Sequence, residues 1–147
     1  MEVSKQNKKV HIFAKQPIHN QTPFHGEHIL LELYGCNSAK LNDEIYLRCQ
    51  INQAAKLAKA TVLNLVSNKF EPYGVTAIAL LAESHISIHT WPESHYSAID
   101  IFTCGRNMRP YLASQFLIEQ LESKNHLLKT INRDYPISIE HELRRTL

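Results

Sequence analysis

The segment from residue 83 to residue 105 constrains the fold most strongly, because β-branched side chains alternate in it with groups that can do chemistry. It reads ESHISIHTWPESHYSAIDIFTCG and holds three histidines, two Glu-Ser pairs, the lone tryptophan and a cysteine. An alternation of period two is typical of strands. Polar groups that are buried in a sheet need partners. The segment therefore predicts an active site built on a sheet.

The rest of the chain predicts an α+β fold. We expect strands at 28–34, 61–70, 75–81, 86–91 and 96–103, helices at 41–60 and 110–123, and one or two short edge strands after residue 127. This order indicates a two-layer α/β sandwich, in which helices cover one face of a mainly antiparallel sheet. The other face then needs burial of its own.

Each predicted helix has an expected buried side. The first helix is capped by Asn42 and buries Ile45, Cys49, Ala55 and Ala58. The second helix begins at Pro110, and its inward side chains are expected to be Leu112, Phe116 and Leu121.

Composition limits the classes of protein. Residues 1–25 are predicted to be a mobile N-terminal extension, and residues 26–147 a single domain. A net charge of +2 is too small to indicate a nucleic-acid surface. No apolar run approaches the roughly 18 residues of a membrane span. The three cysteines (Cys36, Cys49 and Cys104) form no CxxC pair, which favours reduced thiols and a cytoplasmic location.

The residue types alone leave several chemistries open. His85 and His89 share one face of a strand but lie about 13 Å apart, so they cannot ligate one metal ion. A Ser-His-Asp site could use Ser84 or Ser94, either of these histidines and Asp100, but no G-x-S-x-G elbow is present. The plainer interpretation is that these are strand hydroxyls and surface histidines.

Cys104 ends a predicted strand just before Gly105. A free cysteine is usually a small buried hydrophobic residue. Beside several histidines its thiol could instead act as an acid or a nucleophile.

A resemblance to a known protein family favours one of these chemistries. The run from Glu83 to Glu93, with Tyr96, the Ala98–Asp100 stretch and the Phe102–Gly105 stretch, resembles the signature of S-adenosylmethionine decarboxylases of the short prokaryotic type. The Pro72–Val75 run is similar to that family too, as are Gly26, His28, Tyr34 and Cys36.

The resemblance implies a self-made cofactor. Ser84 Oγ would attack the carbonyl carbon of Glu83, and the resulting ester would eliminate to leave a pyruvoyl group at position 84. Cleavage there would divide the 147 residues into chains of 83 and 64 residues. The pyruvoyl ketone would form a Schiff base with S-adenosylmethionine and act as the electron sink for decarboxylation. The product would donate aminopropyl groups for spermidine synthesis, and the enzyme would be a homodimer with sites near the subunit interface.

The resemblance also implies roles for single residues. His89 would move a proton during processing, and Cys104 would protonate the substrate's α-carbon. Phe70 would stack on the adenine, although an edge-strand core residue is the alternative. Trp91 and Glu93 share the motif and are candidate contacts for the substrate.

The chain departs from the family's pattern at one residue and repeats part of the motif. Thr76 stands where the family has a processing serine, and its extra methyl group could slow cleavage. The triplet Glu93-Ser94-His95 repeats the Glu-Ser-His pattern, but only Ser84 is followed by the full motif. Two rival functions stay open: a pyruvoyl-dependent decarboxylase of ornithine or arginine, and an unprocessed paralogue that binds a ligand or regulates an enzyme.

Overall fold

The computed structural model describes residues 25–133, so most of the predicted N-terminal extension and the last fourteen residues lie outside the described part. Within it are six strands, three α-helices and one 3₁₀ turn. In chain order they are β1 (Gly26–Tyr34), α1 (Ser38–Leu41), α2 (Glu44–Leu57), β2 (Val62–Lys69), β3 (Val75–Leu81), β4 (Ser84–Trp91), the 3₁₀ turn (Pro92–Ser94), β5 (Tyr96–Cys104), α3 (Pro110–Gln120) and β6 (Asn125–Asn132). None of the helices in this part is long and apolar enough to cross a membrane.

The strands form one sheet in the order β2-β3-β4-β5-β1-β6, and every neighbouring pair is antiparallel. Helices α2 and α3 pack against each other and against one face of this sheet. The predicted α+β sandwich with helices on one face is therefore confirmed. The edge strand expected after residue 127 is β6, which begins at Asn125 and pairs with β1.

The buried core lies between the helices and the sheet. Alternate residues of β1, β3, β4 and β5 point toward the helices because side chains in a strand alternate between faces. The sheet's fully buried side chains include Ile29, Leu31, Leu33, Ile86, Ile88 and Ile101, and the helices contribute Leu47, Ile51, Ala54, Ala55, Ala113 and Leu117.

The first predicted helix differs from the observed structure at its start and on its buried side. The chain turns after α1, and Asp43 rather than Asn42 caps α2 by accepting a hydrogen bond from the Tyr46 amide at 2.9 Å. Asn42 instead accepts a hydrogen bond from the Gly74 amide. The predicted stripe is wrong in half of its residues: Ile45 is 82% exposed and Cys49 is exposed, whereas Ala55 and Ala58 are buried.

The inward residues predicted for α3 were correct in part, since Leu121 is buried while Leu112 is exposed. Phe116 is partly buried against the core.

The second face of the sheet carries no helix in the described residues, and we call it the open face. It presents the even-numbered residues of β1, β3 and β5 and the odd-numbered residues of β4, in rows that run across the strands. Several large apolar side chains are exposed on it, among them Val66, Ile78, Leu80 and Leu127.

Candidate active site

Ser84 is the first residue of β4 and follows the tight turn from β3. Its φ angle is +151°, a value that favours glycine and that side chains rarely adopt. Such a conformation costs on the order of 1–3 kcal/mol and persists only where surrounding contacts hold it. The peptide bond between Glu83 and Ser84 therefore lies at a strained point of the backbone.

Both polar ends of Glu83 are held. Its carbonyl oxygen accepts a hydrogen bond from the Cys104 amide at 2.9 Å, and its carboxylate accepts one from the Thr61 amide at 2.8 Å. Because the pairing of β4 with β5 brings Ser84 opposite Thr103, the last residues of β5 lie beside this peptide bond. The Cys104 amide polarises the carbonyl in the way that an oxyanion donor does.

The thiol of Cys104 lies on the open face at the end of β5 and is partly buried. Burial raises the pKa of this thiol above its usual range, and nearby Arg133 opposes the shift. The thiol is therefore protonated at neutral pH, as an acid must be. Next to it, Thr103 Oγ1 is buried and has no hydrogen-bond partner among the described residues.

His85 lies in a row of rings across the open face. Its Nδ1 is 3.5 Å from Ser84 Oγ. Phe102 of β5 and His28 of β1 come next in this row. The rings of His28 and His85 are nearly perpendicular, and their centroids lie 6.2 Å apart. His28 Nε2 lies 2.9 Å from the Asp100 carboxylate. Asp100 thus pairs with His28 rather than with His85, so a linear Ser-His-Asp triad is not assembled at Ser84.

His89 and Thr76 form a second group at the other end of β4. They face each other across β3 and β4, and Thr76 Oγ1 is 2.9 Å from His89 Nδ1. The Thr76 hydroxyl and the His89 imidazole are therefore joined by a hydrogen bond. Trp91 follows on the same face, stacks on Tyr96 at 5.1 Å and is 42% exposed.

The other predicted substrate contacts lie at this second end too. Phe70 directly follows β2, is 48% exposed and donates its backbone N–H to the Gly74 carbonyl. Glu93 is an exposed residue of the 3₁₀ turn after Trp91. Neither belongs to the core of the described part, so the edge-strand core interpretation of Phe70 is not supported.

The repeated triplet has a different setting from the first. Ser94 lies in the 3₁₀ turn and is exposed, and His95 Nδ1 contacts the Cys36 carbonyl at 3.0 Å. An open groove of about 600 Å³ passes these residues, at the end of β5 opposite to Cys104. The lining of this groove includes neither Ser84 nor His89.

The predicted site residues thus fall into two groups. Glu83, Ser84 and Cys104 meet at one end of the sheet, whereas Thr76, His89 and the substrate candidates lie at the other. His89 lies five positions after Ser84 in β4, which is about 16 Å in a strand. Within residues 25–133 no cluster of His, Cys, Asp and Glu could hold a metal ion.

Sequence reasoning missed the contacts that depend on strand register. The Cys104 amide, the unpartnered Thr103 hydroxyl and the His28–Asp100 pair are all set by how β5 and β1 align with β4. The separation of Ser84 from His89 could have been found by counting residues along the predicted strand.

Comparison with known proteins shows the family of this chain. The family model for S-adenosylmethionine decarboxylase matches residues 27–134. The S-adenosylmethionine decarboxylase proenzyme of Prochlorococcus marinus (strain MIT 9211) is 57% identical over 118 residues, which cover 80% of this chain and 97% of that one. The proenzyme of Synechococcus sp. (strain WH7803) is 54% identical over 121 residues, covering 82% and 94%.

The fold leads to the same group of proteins. The crystal structure of the adenosylmethionine decarboxylase from Aquifex aeolicus VF5 matches with a TM-score of 0.71 at 37% identity, covering 76% of this chain and 92% of that one. The chain belongs to the S-adenosylmethionine decarboxylase family.

Proposed function

We propose that this protein is a self-cleaving, pyruvoyl-dependent carboxy-lyase that decarboxylates S-adenosylmethionine. Its relatives are named S-adenosylmethionine decarboxylase proenzymes, which supports both the substrate and a precursor that matures. The observation that carries the proposal is the strained Ser84, whose preceding carbonyl is already held by the Cys104 amide. The product would be the aminopropyl donor for spermidine synthesis. Three free cysteines agree with work in the cytoplasm.

Self-cleavage would begin with attack of Ser84 Oγ on the carbonyl carbon of Glu83. The developing oxyanion would receive the hydrogen bond of the Cys104 amide, and breakage of the C–N bond would leave an ester and relieve the strain at Ser84. Loss of the Ser84 α-proton then expels the Glu83 carboxylate and leaves a dehydroalanine. Its hydrolysis releases ammonia and gives the pyruvoyl group.

The residues present fit this cofactor. Ser84 supplies its three carbons, and the partly buried end of β5 shelters the position. When formed, the pyruvoyl ketone supplies the electron sink that decarboxylation needs. We assign to the Cys104 thiol the proton that replaces carbon dioxide on the substrate's α-carbon. Since burial raises the pKa of this thiol, it holds that proton at neutral pH.

We propose that the working enzyme is a homodimer in which the open faces meet. His89 cannot reach Ser84 of its own chain across about 16 Å. In a two-fold symmetric dimer, if one end of the open face contacts the opposite end of the partner's open face, the reverse contact also forms. The His89 end of one copy can therefore lie over the Ser84 end of the second. The exposed apolar residues of the open face (Val66, Ile78, Leu80 and Leu127) supply material for such an interface.

The same pairing would complete the substrate site. Phe70 and Trp91 are aromatic, exposed and close to the His89 end, so they can stack on an adenine or face a sulfonium cation. Glu93 adds a carboxylate that can receive a cationic or hydroxyl group. An ornithine or arginine decarboxylase would share the pyruvoyl chemistry but would have no use for an adenine-stacking pair. The rival of an unprocessed paralogue is not favoured, since Thr76 keeps the hydroxyl contact to His89.

The proposal is tested by intact-mass spectrometry of the purified protein, followed by carbon dioxide release from three substrates. We expect two chains divided between Glu83 and Ser84, the second about 17 Da lighter than a chain that begins with serine. We further expect release from S-adenosylmethionine and not from ornithine or arginine. A single chain after prolonged incubation would refute the self-cleavage, and preference for a basic amino acid would refute the substrate.

A further inference from the structure

His85 is the residue after Ser84, and its imidazole reaches the hydroxyl that would open the peptide bond. The Nδ1–Oγ distance of 3.5 Å is that of a long hydrogen bond. Contacts of this kind in a resting site often tighten as the reaction proceeds. His89, by contrast, needs a second copy to approach Ser84. His85 is thus an imidazole available to Ser84 within one chain.

The surroundings of His85 suit a base. Burial lowers the pKa of its imidazole below the usual range, and the adjacent His28 and Arg133 lower it further, while Asp100 opposes them. The ring is therefore neutral at pH 7, and one of its nitrogens can accept a proton. On β3 its cross-strand neighbour is the apolar Leu80. The titratable and charged groups that face it from the packed elements are His28 of β1, Asp100 and Cys104 of β5, and Arg133 after β6.

We infer that His85 is the base that starts the self-cleavage by taking the proton of Ser84 Oγ, an assignment that rests on the proposed function. As the proton moves to Nδ1, Oγ forms a bond with the carbonyl carbon of Glu83. The bond from that carbon to the Ser84 nitrogen then breaks, and the imidazolium returns the proton to the departing nitrogen. The step ends in an ester and an amine, with no net gain or loss of protons.

This assignment divides the maturation between two histidines. Ester formation uses Ser84, His85 and the Cys104 amide, which all belong to one chain and are already in place. Elimination from the ester is the step left to His89 of the second copy. The first step therefore does not depend on dimerisation, whereas the second does.

The test follows the full chain during cell-free translation, by intact mass, with hydroxylamine as a probe that cuts esters but not this amide. His89→Asn alone is expected to accumulate a chain that hydroxylamine splits at residue 83. The double variant His85→Ala with His89→Asn is expected to form this ester about 100-fold more slowly, the usual contribution of a general base. His126→Ala, a change at an exposed histidine of β6, serves as the matched control and should leave the rate unchanged.

Two further readouts separate chemistry from folding. Added imidazole should restore part of the ester formation to the His85→Ala chain, which it would not do for a misfolded one. In the His89→Asn chain the rate should fall as pH drops through a pKa below the usual histidine range, because protonated His85 accepts nothing. A rate that is equal with and without His85, or constant from about pH 5 to about pH 8, would overturn the assignment. Absence of cleavage in the wild-type chain would overturn the proposed function itself.

Discussion

The division of the site between two ends of one sheet leads to a complementation prediction. Ser84→Ala removes the residue that we propose becomes the cofactor, and His89→Asn removes the imidazole at the other end of β4. Each variant alone should give no mature enzyme. When both are expressed together in one cell, we expect mature enzyme to reappear, because each copy supplies the group that the other lacks.

The expected yield follows from the geometry. His89 lies five positions, about 16 Å, along β4 from Ser84 of its own chain, which is several times the reach of a hydrogen bond. In the proposed dimer the histidine that acts on Ser84 would therefore come from the second copy. With equal amounts and random pairing, half of the chains that carry Ser84 meet a partner that carries His89. About a quarter of all chains should therefore be cleaved, given a two-fold symmetric dimer.

The assay is the cleaved fraction by intact mass, together with carbon dioxide release from S-adenosylmethionine. Tagging the two variants differently shows which chain is cut, and it should be the His89→Asn chain. Co-expression of Ser84→Ala with Cys49→Ser, a change at an exposed cysteine of α2, is the control for mixing and should leave every Cys49→Ser chain cleaved. Cleavage of His89→Asn by itself, or no cleavage in the mixture, would refute the reasoning.

Four further outcomes follow from single contacts. Ile78→Glu, on the open face, should weaken dimerisation about tenfold or more, as measured by analytical ultracentrifugation. Ile45→Glu, on the exposed side of α2, should leave dimerisation unchanged. Equal effects of the two changes would show that the open face is not the interface. Cys104→Ala keeps the backbone amide, so the chain should still cleave but decarboxylate about 100-fold more slowly. Since burial raises the Cys104 pKa, wild-type protonation of product should be lost only as pH rises through that raised value, which a pH-rate profile measures. Thr103→Val removes a buried hydroxyl that has no partner among the described residues, so the free energy of unfolding should rise by about 1 kcal/mol. Thermal unfolding at fixed protein concentration measures this change. A fall in the free energy of unfolding would indicate that the hydroxyl has a hydrogen-bond partner.

The sheet could be predicted closely from the sequence, because its signal is local. In β3 each buried residue alternates with a more exposed one, and the predicted bounds of 75–81 are the observed ones. In β4 the prediction began two residues late, since Ser84 and His85 are polar and do not look like a strand's start. Alternation identifies a strand but carries no information about which strand lies beside it.

The helix was harder for a physical reason. In the region of α2 apolar residues occur on several sides, so period alone does not choose the side that meets the sheet. Leu47 and Ile51 are fully buried while Ile45 is 82% exposed, a choice made by the packing of α2 on β2, β3 and α3. Asn42, which the sequence predicts as the helix cap, instead accepts a hydrogen bond from the Gly74 amide, which is distant in the sequence.

The backbone also distinguishes the two Glu-Ser-His triplets. Ser84 begins a strand with a positive φ angle, and the carbonyl before it is held by the next strand's amide. Ser94 lies instead in a one-turn 3₁₀ helix at the surface, with its own histidine occupied by the Cys36 carbonyl. Since strain and carbonyl polarisation come from main-chain geometry, a side-chain change at His85 or His89 should slow or stop cleavage at residue 84 without moving it to another bond. A variant that cleaved before Ser94 would show that the triplet, and not the strand that carries it, selects the bond.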